Sequence, residues 1–229
     1  MVKTVLDRED LAFDPPELGC VFCLSGLPGG GSIAYDRSPH GNHGNITGAT
    51  WVRLSSGLWC LSFDGVDDYV DCNNDVSLSL EDGFTIELWE NVDSSAYYRW
   101  FISKGDPATF TQNYGIILLD NNNIYGLVRN VDDDTTWGAY FGVSGGSGWH
   151  FLAMSFDITH IVHYADGVGA TPVATGTQAH TNNRPVRLGY HYSKKISGYL
   201  ALPRIYNRPL SALEIQNHFN QEKHLFGVW

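Results

Sequence analysis

The stretch of nine residues at 63–71 constrains the fold of this 229-residue chain more than any other. It reads Phe-Asp-Gly-Val-Asp-Asp-Tyr-Val-Asp, with aromatic and branched residues on either side of an acidic segment that contains a glycine. This pattern predicts two short strands joined by a tight turn. The 25 glycines and the many aromatic residues fit the same kind of structure, since aromatic side chains suit a pleated surface and glycine permits turns.

The rest of the chain repeats short apolar runs separated by turn residues. Alternation with period two is clearest at 84–89, and Ser211 with Glu214 forms a capping box that begins the one helix the sequence predicts. No break in composition divides the chain, so we expect an N-terminal arm at 1–18 and a single domain at 19–229. The predicted fold class is all-β, an antiparallel two-sheet jelly-roll β-sandwich with one short C-terminal helix.

Charge and hydropathy exclude two classes of partner. The formal net charge is −11 with only 14 lysines and arginines, whereas nucleic acids and anionic membranes require a basic surface. No apolar run reaches the length of a membrane span, so we expect no membrane insertion. The first ten residues also lack the apolar segment of a secretory signal peptide.

The four cysteines form two pairs in the sequence. A hairpin centred on Val66 would place Cys60 directly opposite Cys72, within disulfide range, although a shift of one residue in the turn would remove this pairing. Cys20 and Cys23 have an odd spacing in a predicted strand, which places their thiols on opposite faces. We therefore expect small buried side chains at these two positions and no zinc site.

Six motifs occur in collinear order at 36–44, 63–70, 84–89, 149–150, 164–167 and 204–215. Together they resemble the laminin-G-like jelly roll of the concanavalin A-like lectin and glucanase superfamily. The resemblance implies a non-catalytic binding module of cell surfaces, secreted enzymes or virions, with a glycan or a surface protein as its partner. We expect a carbohydrate ligand and an extracellular, cell-surface or virion-associated location. The alternative is a structural or assembly protein of a virion or surface layer, in which the sandwich makes protein contacts, including contacts within a homo-oligomer.

The resemblance also implies a calcium ion at the rim of the sandwich. Its candidate ligands are Asp36, Asn42, Gly44 and Asp64, which offer the carboxylate, amide and carbonyl oxygens that calcium prefers. The alternative is that Asp36 caps its own turn and that the acids around Asp64 solvate a hairpin tip. One departure weighs against the ion, because the family usually has an aspartate where this chain has Ala201.

Exposed aromatic side chains near strand ends are the candidates for a sugar-binding surface. The alternative is that most of them pack into the core of the sandwich. The candidates are Trp100, Trp137, Tyr140, Tyr190, His191 and Tyr192.

Catalysis is not expected. Retaining glycosidases need two carboxyl groups about 5 Å apart, but the odd spacing of Glu87 and Glu90 directs them to opposite faces of one strand. Hydrolase or lyase activity on polysaccharides is therefore the weakest of the three functional hypotheses. The Gly-Gly-Ser-Gly segment at 145–148 is interpreted as a flexible turn, and no nucleophile motif is recognised.

Overall fold

The computed structural model describes residues 18–24, 26, 31–93, 98–106, 111–119, 121–130, 136–190 and 195–229. Apart from Leu18, the predicted arm therefore lies outside the described residues. Within these ranges the chain forms seventeen strands. In chain order they are β1 (Cys20–Cys23), β2 (Ile33–Ala34), β3 (Gly44–Thr47), β4 (Thr50–Arg53), β5 (Trp59–Asp64), β6 (Tyr69–Asp71), β7 (Phe84–Val92), β8 (Arg99–Asp106), β9 (Thr111–Leu118), β10 (Asn123–Arg129), β11 (Thr136–Ser144), β12 (His150–Phe156), β13 (His160–Ala165), β14 (Val168–Gly169), β15 (Val173–Ala174), β16 (Val186–Leu188) and β17 (Ser197–Tyr206).

The strands form two antiparallel sheets, which confirms the predicted fold class. The nine-stranded sheet has the order β14-β13-β12-β7-β17-β5-β4, with β1 also paired to β17 and β15 to β13. The eight-stranded sheet has the order β11-β10-β9-β8-β16-β6-β3-β2. Alternate residues of both sheets, such as Phe84 and Ile86 of β7 and Ile116 of β9, fill the interior between them.

The one α-helix of the described ranges, α1 (Ala212–Glu222), begins at the predicted capping box. The Ser211 hydroxyl accepts from the Glu214 N–H at 3.3 Å, and the Glu214 carboxylate accepts from the Ser211 N–H at 2.7 Å. Two 3₁₀ helices, Val76–Leu78 and Lys223–Phe226, complete the helical structure of the described ranges. None of these helices is long and apolar enough to cross a membrane.

Helix α1 and the following 3₁₀ helix cover the outer face of the nine-stranded sheet with a second apolar cluster. The Trp89 ring of β7 stacks on Phe226, with ring centroids 4.1 Å apart. Because the cluster contains side chains of α1 and of the sheet but none of the eight-stranded sheet, it is separate from the interior of the sandwich.

A buried ionic network lies within this helix–sheet contact. Arg204 of β17 binds Glu222 of α1 (Nη1–Oε1 2.5 Å) and Glu87 of β7 (Nη2–Oε2 3.2 Å). Trp89 donates its indole N–H to Glu222 at 2.7 Å, and His218 Nδ1 lies 2.9 Å from a Glu87 oxygen. Each buried carboxylate is thus matched by donors, as burial of a charge requires.

The segment at 63–71 does not form the predicted hairpin. Strand β5 pairs with β4 and β17 in the nine-stranded sheet, whereas β6 pairs with β3 and β16 in the eight-stranded sheet. The turn between them is therefore a β-arch that crosses from one sheet to the other. The predicted disulfide was wrong for this reason: Cys60 lies in the cluster under the helices, Cys72 lies between the sheets, and both are free thiols.

The interpretation of Cys20 and Cys23 was wrong in one respect. Strand β1 has a bulge between Cys20 and Phe22, so that both thiols lie on the outer face of the nine-stranded sheet rather than on opposite faces. The Cys20 thiol donates to the Phe22 carbonyl oxygen at 3.3 Å. The nearby Cys20 thiol, together with the charge of Arg204, lowers the pKa of Cys23. A period-two argument cannot detect such a bulge because the extra residue reverses the alternation.

Candidate functional site

The outer face of the eight-stranded sheet carries aromatic and charged side chains. In β6 and β16, Val70 and Leu188 point into the core, so the alternate residues Tyr69, Asp71 and Arg187 point outwards. Arg187 is directly opposite Asp71 across the β6–β16 pair. Neither α1 nor either 3₁₀ helix contributes to this face among the residues described, in contrast to the nine-stranded sheet.

Tyr190, which follows β16, lies at the centre of a group that we call the Tyr190 cluster: Tyr69, Asp71, Arg187, Tyr190 and Lys195. The rings of Tyr69 and Tyr190 meet edge to face at 5.2 Å. The Arg187 guanidinium carbon and the Lys195 ammonium lie 4.3 and 3.9 Å from the Tyr190 ring centroid. Arg187 Nε also binds Asp71 at 2.8 Å, with each side chain about one quarter exposed.

The predicted aromatic set does not form one surface. Tyr140 of the edge strand β11 is half exposed and contacts Tyr125 of β10 at 5.2 Å, and β9 and β8 separate these two strands from β16, which Tyr190 follows. Trp100 lies across Gly115 and is only 1% exposed, so it offers no ring face to a sugar. Trp137 points into the core, where it stacks on Phe156. His191 and Tyr192 lie outside the described residues.

Asp36 organises its own loop. Its carboxylate accepts hydrogen bonds from the N–H groups of Cys23, Ser38 and Asn42 at 2.7–2.9 Å and from the Ser38 hydroxyl at 2.5 Å. Four donors use the acceptor sites of one carboxylate. The Asn42 amide donates to Val21 and Ser77. This arrangement matches the alternative in which Asp36 caps its own turn.

The predicted calcium ligands are divided between the two ends of β3. Asn42 and Gly44 lie at its start. Asp64 lies near its other end, because the Asp64 N–H donates at 2.9 Å to Asp68, and Asp68 lies against Gly48 beyond the end of β3. The carboxylates of Asp64, Asp67 and Asp68 are within 4.8 Å of one another, and we call them the acidic turn. Burial, together with the negative charges of Asp64 and Asp67, raises the pKa of Asp68.

The two glutamates of β7 face opposite sides of the strand, as predicted. Glu87 lies in the helix–sheet network, whereas Glu90 points to the interior beside Leu88 and Val92. One Glu90 oxygen accepts from the Val92 N–H at 3.1 Å, and the other has no hydrogen-bond partner among the described residues. Burial raises the pKa of Glu90 to about 8. The pair therefore cannot act together on a glycosidic bond.

A serine, a histidine and an aspartate meet at the turn between β11 and β12. The Ser147 Oγ is 2.8 Å from His150 Nε2, and His150 Nδ1 is 2.8 Å from Asp166 Oδ2. The sequence interpretation missed this group, because it treated 145–148 only as a flexible turn. The spacing of Ser147 and His150 was a visible signal, but the contact with Asp166 depends on the β12–β13 pairing.

Comparisons with solved structures identify similar folds at low sequence identity. The binding domain of Paraclostridial Mosquitocidal Protein 1 superposes with a TM-score of 0.72 and 16% identity, over 92% of this chain and 55% of the other. The botulinum neurotoxin serotype D ligand-binding domain in complex with N-acetylneuraminic acid gives 0.69 and 10%, over 89% and 51%. The botulinum neurotoxin DC binding domain in complex with rat synaptotagmin II gives 0.67 and 12%, over 89% and 51%.

These neighbours show the fold, and the chain spans about half of their length. No curated protein sequence matches significantly.

A family model of laminin G type matches residues 64–216, well over half of the chain. The region matched contains the acidic turn, the Tyr190 cluster, the edge strand β11 and helix α1 as far as Gln216. The chain therefore belongs to the concanavalin A-like lectin/glucanases superfamily.

Proposed function

We propose that this chain is a glycan-binding module and that the Tyr190 cluster is its binding site, which holds the glycan without catalysing a reaction on it. The supporting observation is that two tyrosine rings, two cations and an ion pair meet on one partly exposed patch, in which Lys195 itself is only 8% exposed. Binding sites for small polar ligands combine apolar ring surface with a few placed polar groups. The rings of Tyr69 and Tyr190 supply the apolar surface, and Arg187 and Asp71 supply donors and acceptors for sugar hydroxyls.

The charges of the cluster favour an acidic sugar. Arg187 and Lys195 lie side by side, and the proximity of Arg187 contributes, after burial, to the lowered pKa of Lys195. A carboxylate or sulfate placed between these two cations would relieve their repulsion and form charge-assisted hydrogen bonds. One of the similar toxin domains is in complex with N-acetylneuraminic acid, which makes sialylated oligosaccharides the first ligands to test.

The test is binding of sialyllactose and of uncharged lactose by calorimetry, preceded by a glycan array. We expect Tyr190→Ala to weaken sialyllactose binding at least tenfold. The matched control is Tyr140→Ala, which removes a half-exposed tyrosine from the edge strand β11 of the same sheet. Absence of array binding by the wild type would contradict the proposal, and equal losses in both variants would place the site elsewhere.

Calcium dependence is a separate part of the proposal and rests on the acidic turn. Three carboxylates within 4.8 Å offer oxygen ligands, and Asp67 is close enough to Lys195 to affect its pKa. We expect the melting midpoint to rise in excess calcium relative to chelator, and the rise to disappear in Asp67→Asn. An unchanged midpoint would remove calcium and leave the test of Tyr190 unaffected.

The second candidate function is a protein contact along β11. This nine-residue strand pairs with β10 on one side and is the edge of the eight-stranded sheet as far as the structure describes it. An exposed strand edge is suited to adding a strand from another chain. One similar toxin domain is in complex with another protein, rat synaptotagmin II. Light scattering of the purified protein tests self-association, and a strict monomer would leave only heterologous partners for this function.

A further inference from the structure

The Ser147 group has the geometry of an activated nucleophile. His150 lies within hydrogen-bond distance of Ser147 on one side and of Asp166 on the other, each at 2.8 Å. The second Asp166 oxygen accepts from the Phe151 N–H at 3.0 Å, which fixes the orientation of the carboxylate. Nucleophile, base and orienting carboxylate within such distances are the signature of covalent catalysis by serine.

The turn that carries Ser147 is exposed yet anchored. The Gly146 N–H donates to Val92 O at 2.7 Å, and Asn122 binds Gly145 through its amide at 2.8 Å. Ser147 itself is exposed, whereas the His150 side chain is only 17% exposed. A carbonyl group can therefore approach the Ser147 hydroxyl from solvent while Asp166 holds the base, His150, in place.

Two backbone donors complete the arrangement. Across the described ranges, the N–H groups of Ser147 and Gly148 donate to no acceptor in the protein. The N–H of the residue after the nucleophile is a common donor to the oxyanion in serine hydrolases. In this turn the donor would be Gly148, adjacent to the attacking oxygen.

We propose that Ser147, His150 and Asp166 form a nucleophile, base and carboxylate set that hydrolyses short-chain acyl esters at the protein surface. Ser147 Oγ bonds to the ester carbonyl carbon while its proton passes to His150 Nε2. The bond from carbon to the leaving oxygen then breaks, and that oxygen takes the proton from Nε2. Water repeats the sequence on the acyl-serine, releases the carboxylic acid and restores the Ser147 hydroxyl. This activity goes beyond glycan binding and does not depend on it.

The pH dependence follows from the groups around His150. In the structure the Ser147 hydroxyl donates to the carbonyl oxygen of Ser144, so the neutral imidazole must first compete for that proton. The hydrogen bond with Asp166 raises the pKa of His150, and Glu90 faces it from β7. Ester hydrolysis should therefore increase with pH through a midpoint above the ordinary value of 6.5.

Two probes test the proposal on the whole chain. An alkyl fluorophosphonate should form an oxygen–phosphorus bond with Ser147 and release fluoride, and peptide mass spectrometry locates the adduct. Release of p-nitrophenolate from p-nitrophenyl acetate should fall at least tenfold in both Ser147→Ala and His150→Gln. The matched control is Ser32→Ala, which removes another exposed loop serine.

The outcomes are distinct. An adduct on Ser147, with hydrolysis lost in both variants and kept in the control, supports the proposal. Lack of an adduct on the wild type, which needs no variant to fold, overturns it. Hydrolysis that persists in Ser147→Ala but is lost in His150→Gln assigns the reaction to the imidazole alone and also overturns the role of Ser147.

Discussion

The two outer faces of the sandwich differ in how deeply their charged side chains are buried. On the nine-stranded sheet, helix α1 covers Arg204, Glu87 and Glu222, and every one of these buried groups is matched by an opposite charge. On the eight-stranded sheet, Arg187 and Asp71 form a pair that keeps about a quarter of each side chain in solvent. The charges of the covered face hold a helix against the sheet, whereas the Arg187–Asp71 pair of the other face stays partly in contact with solvent.

Removing one arginine from each face is the most direct test of this difference between the two faces. Arg204→Ala leaves Glu87 and Glu222 buried without their cation, and we expect a loss of about 3–5 kcal/mol in the free energy of unfolding. Arg187→Ala should cost about 1 kcal/mol or less, because its pair is partly solvated. Urea denaturation measures both, and similar losses would show that the two faces do not differ.

Substitution of Glu90 tests whether a carboxyl group buried without an opposite charge lowers the stability of the protein. Because its folded-state pKa is raised to about 8 from an ordinary 4.5, the protein loses stability as pH rises from 4.5 towards 8. Glu90→Gln cannot ionise, so its stability relative to wild type should increase by up to about 1.4 kcal/mol per pH unit across that window. Melting curves at pH 4.5, 6 and 8 measure this difference, and a gain that is constant with pH would contradict the assignment.

Gly115 tests how closely side chains pack on the eight-stranded sheet. A Cβ at this position would lie 2.7 Å from both the Ile102 carbonyl oxygen and the Trp100 ring. Gly115→Ala should therefore destabilise the protein by about 1–3 kcal/mol, as overpacking does. The shift in the urea midpoint measures this cost, and an unchanged midpoint would mean that the Trp100 ring moves away without penalty.

The smallest change in stability is expected at Tyr140, on the outer face of the eight-stranded sheet. Tyr140→Ser removes a side chain that is 51% exposed and whose ring contact is with Tyr125. We expect a change within about 0.5 kcal/mol, as for most surface substitutions. A melting midpoint several degrees lower would show that the Tyr125–Tyr140 contact is structural.

Much of the fold could be predicted from local patterns. The alternation at 84–89 and the capping box at Ser211 each depend on neighbours in sequence, and both are present in the structure. The partner of β6 could not be predicted in this way, because Gly65 and its acidic neighbours suit a β-arch as well as a hairpin. The disulfide between Cys60 and Cys72 was wrong because it depended on that choice.

The candidate site was predictable only in part for a similar reason. Tyr190 was recognised as an exposed aromatic residue, but its contact with Tyr69 and Arg187 requires the pairing of β6 with β16, more than a hundred residues apart. Trp100 and Trp137 belong to the same residue class and yet pack within the protein. Side-chain direction in a sheet depends on register, which composition does not report.

The position of β17 has a consequence for synthesis on the ribosome. This strand, the last of the chain, lies inside the nine-stranded sheet between β5 and β7 and also pairs with β1. The strands that precede it therefore cannot complete their sheet until Ser197–Tyr206 has emerged from the exit tunnel. Until then β5 and β7 expose unpaired edges, so a nascent chain stalled before Ser197 should depend on chaperones to avoid aggregation.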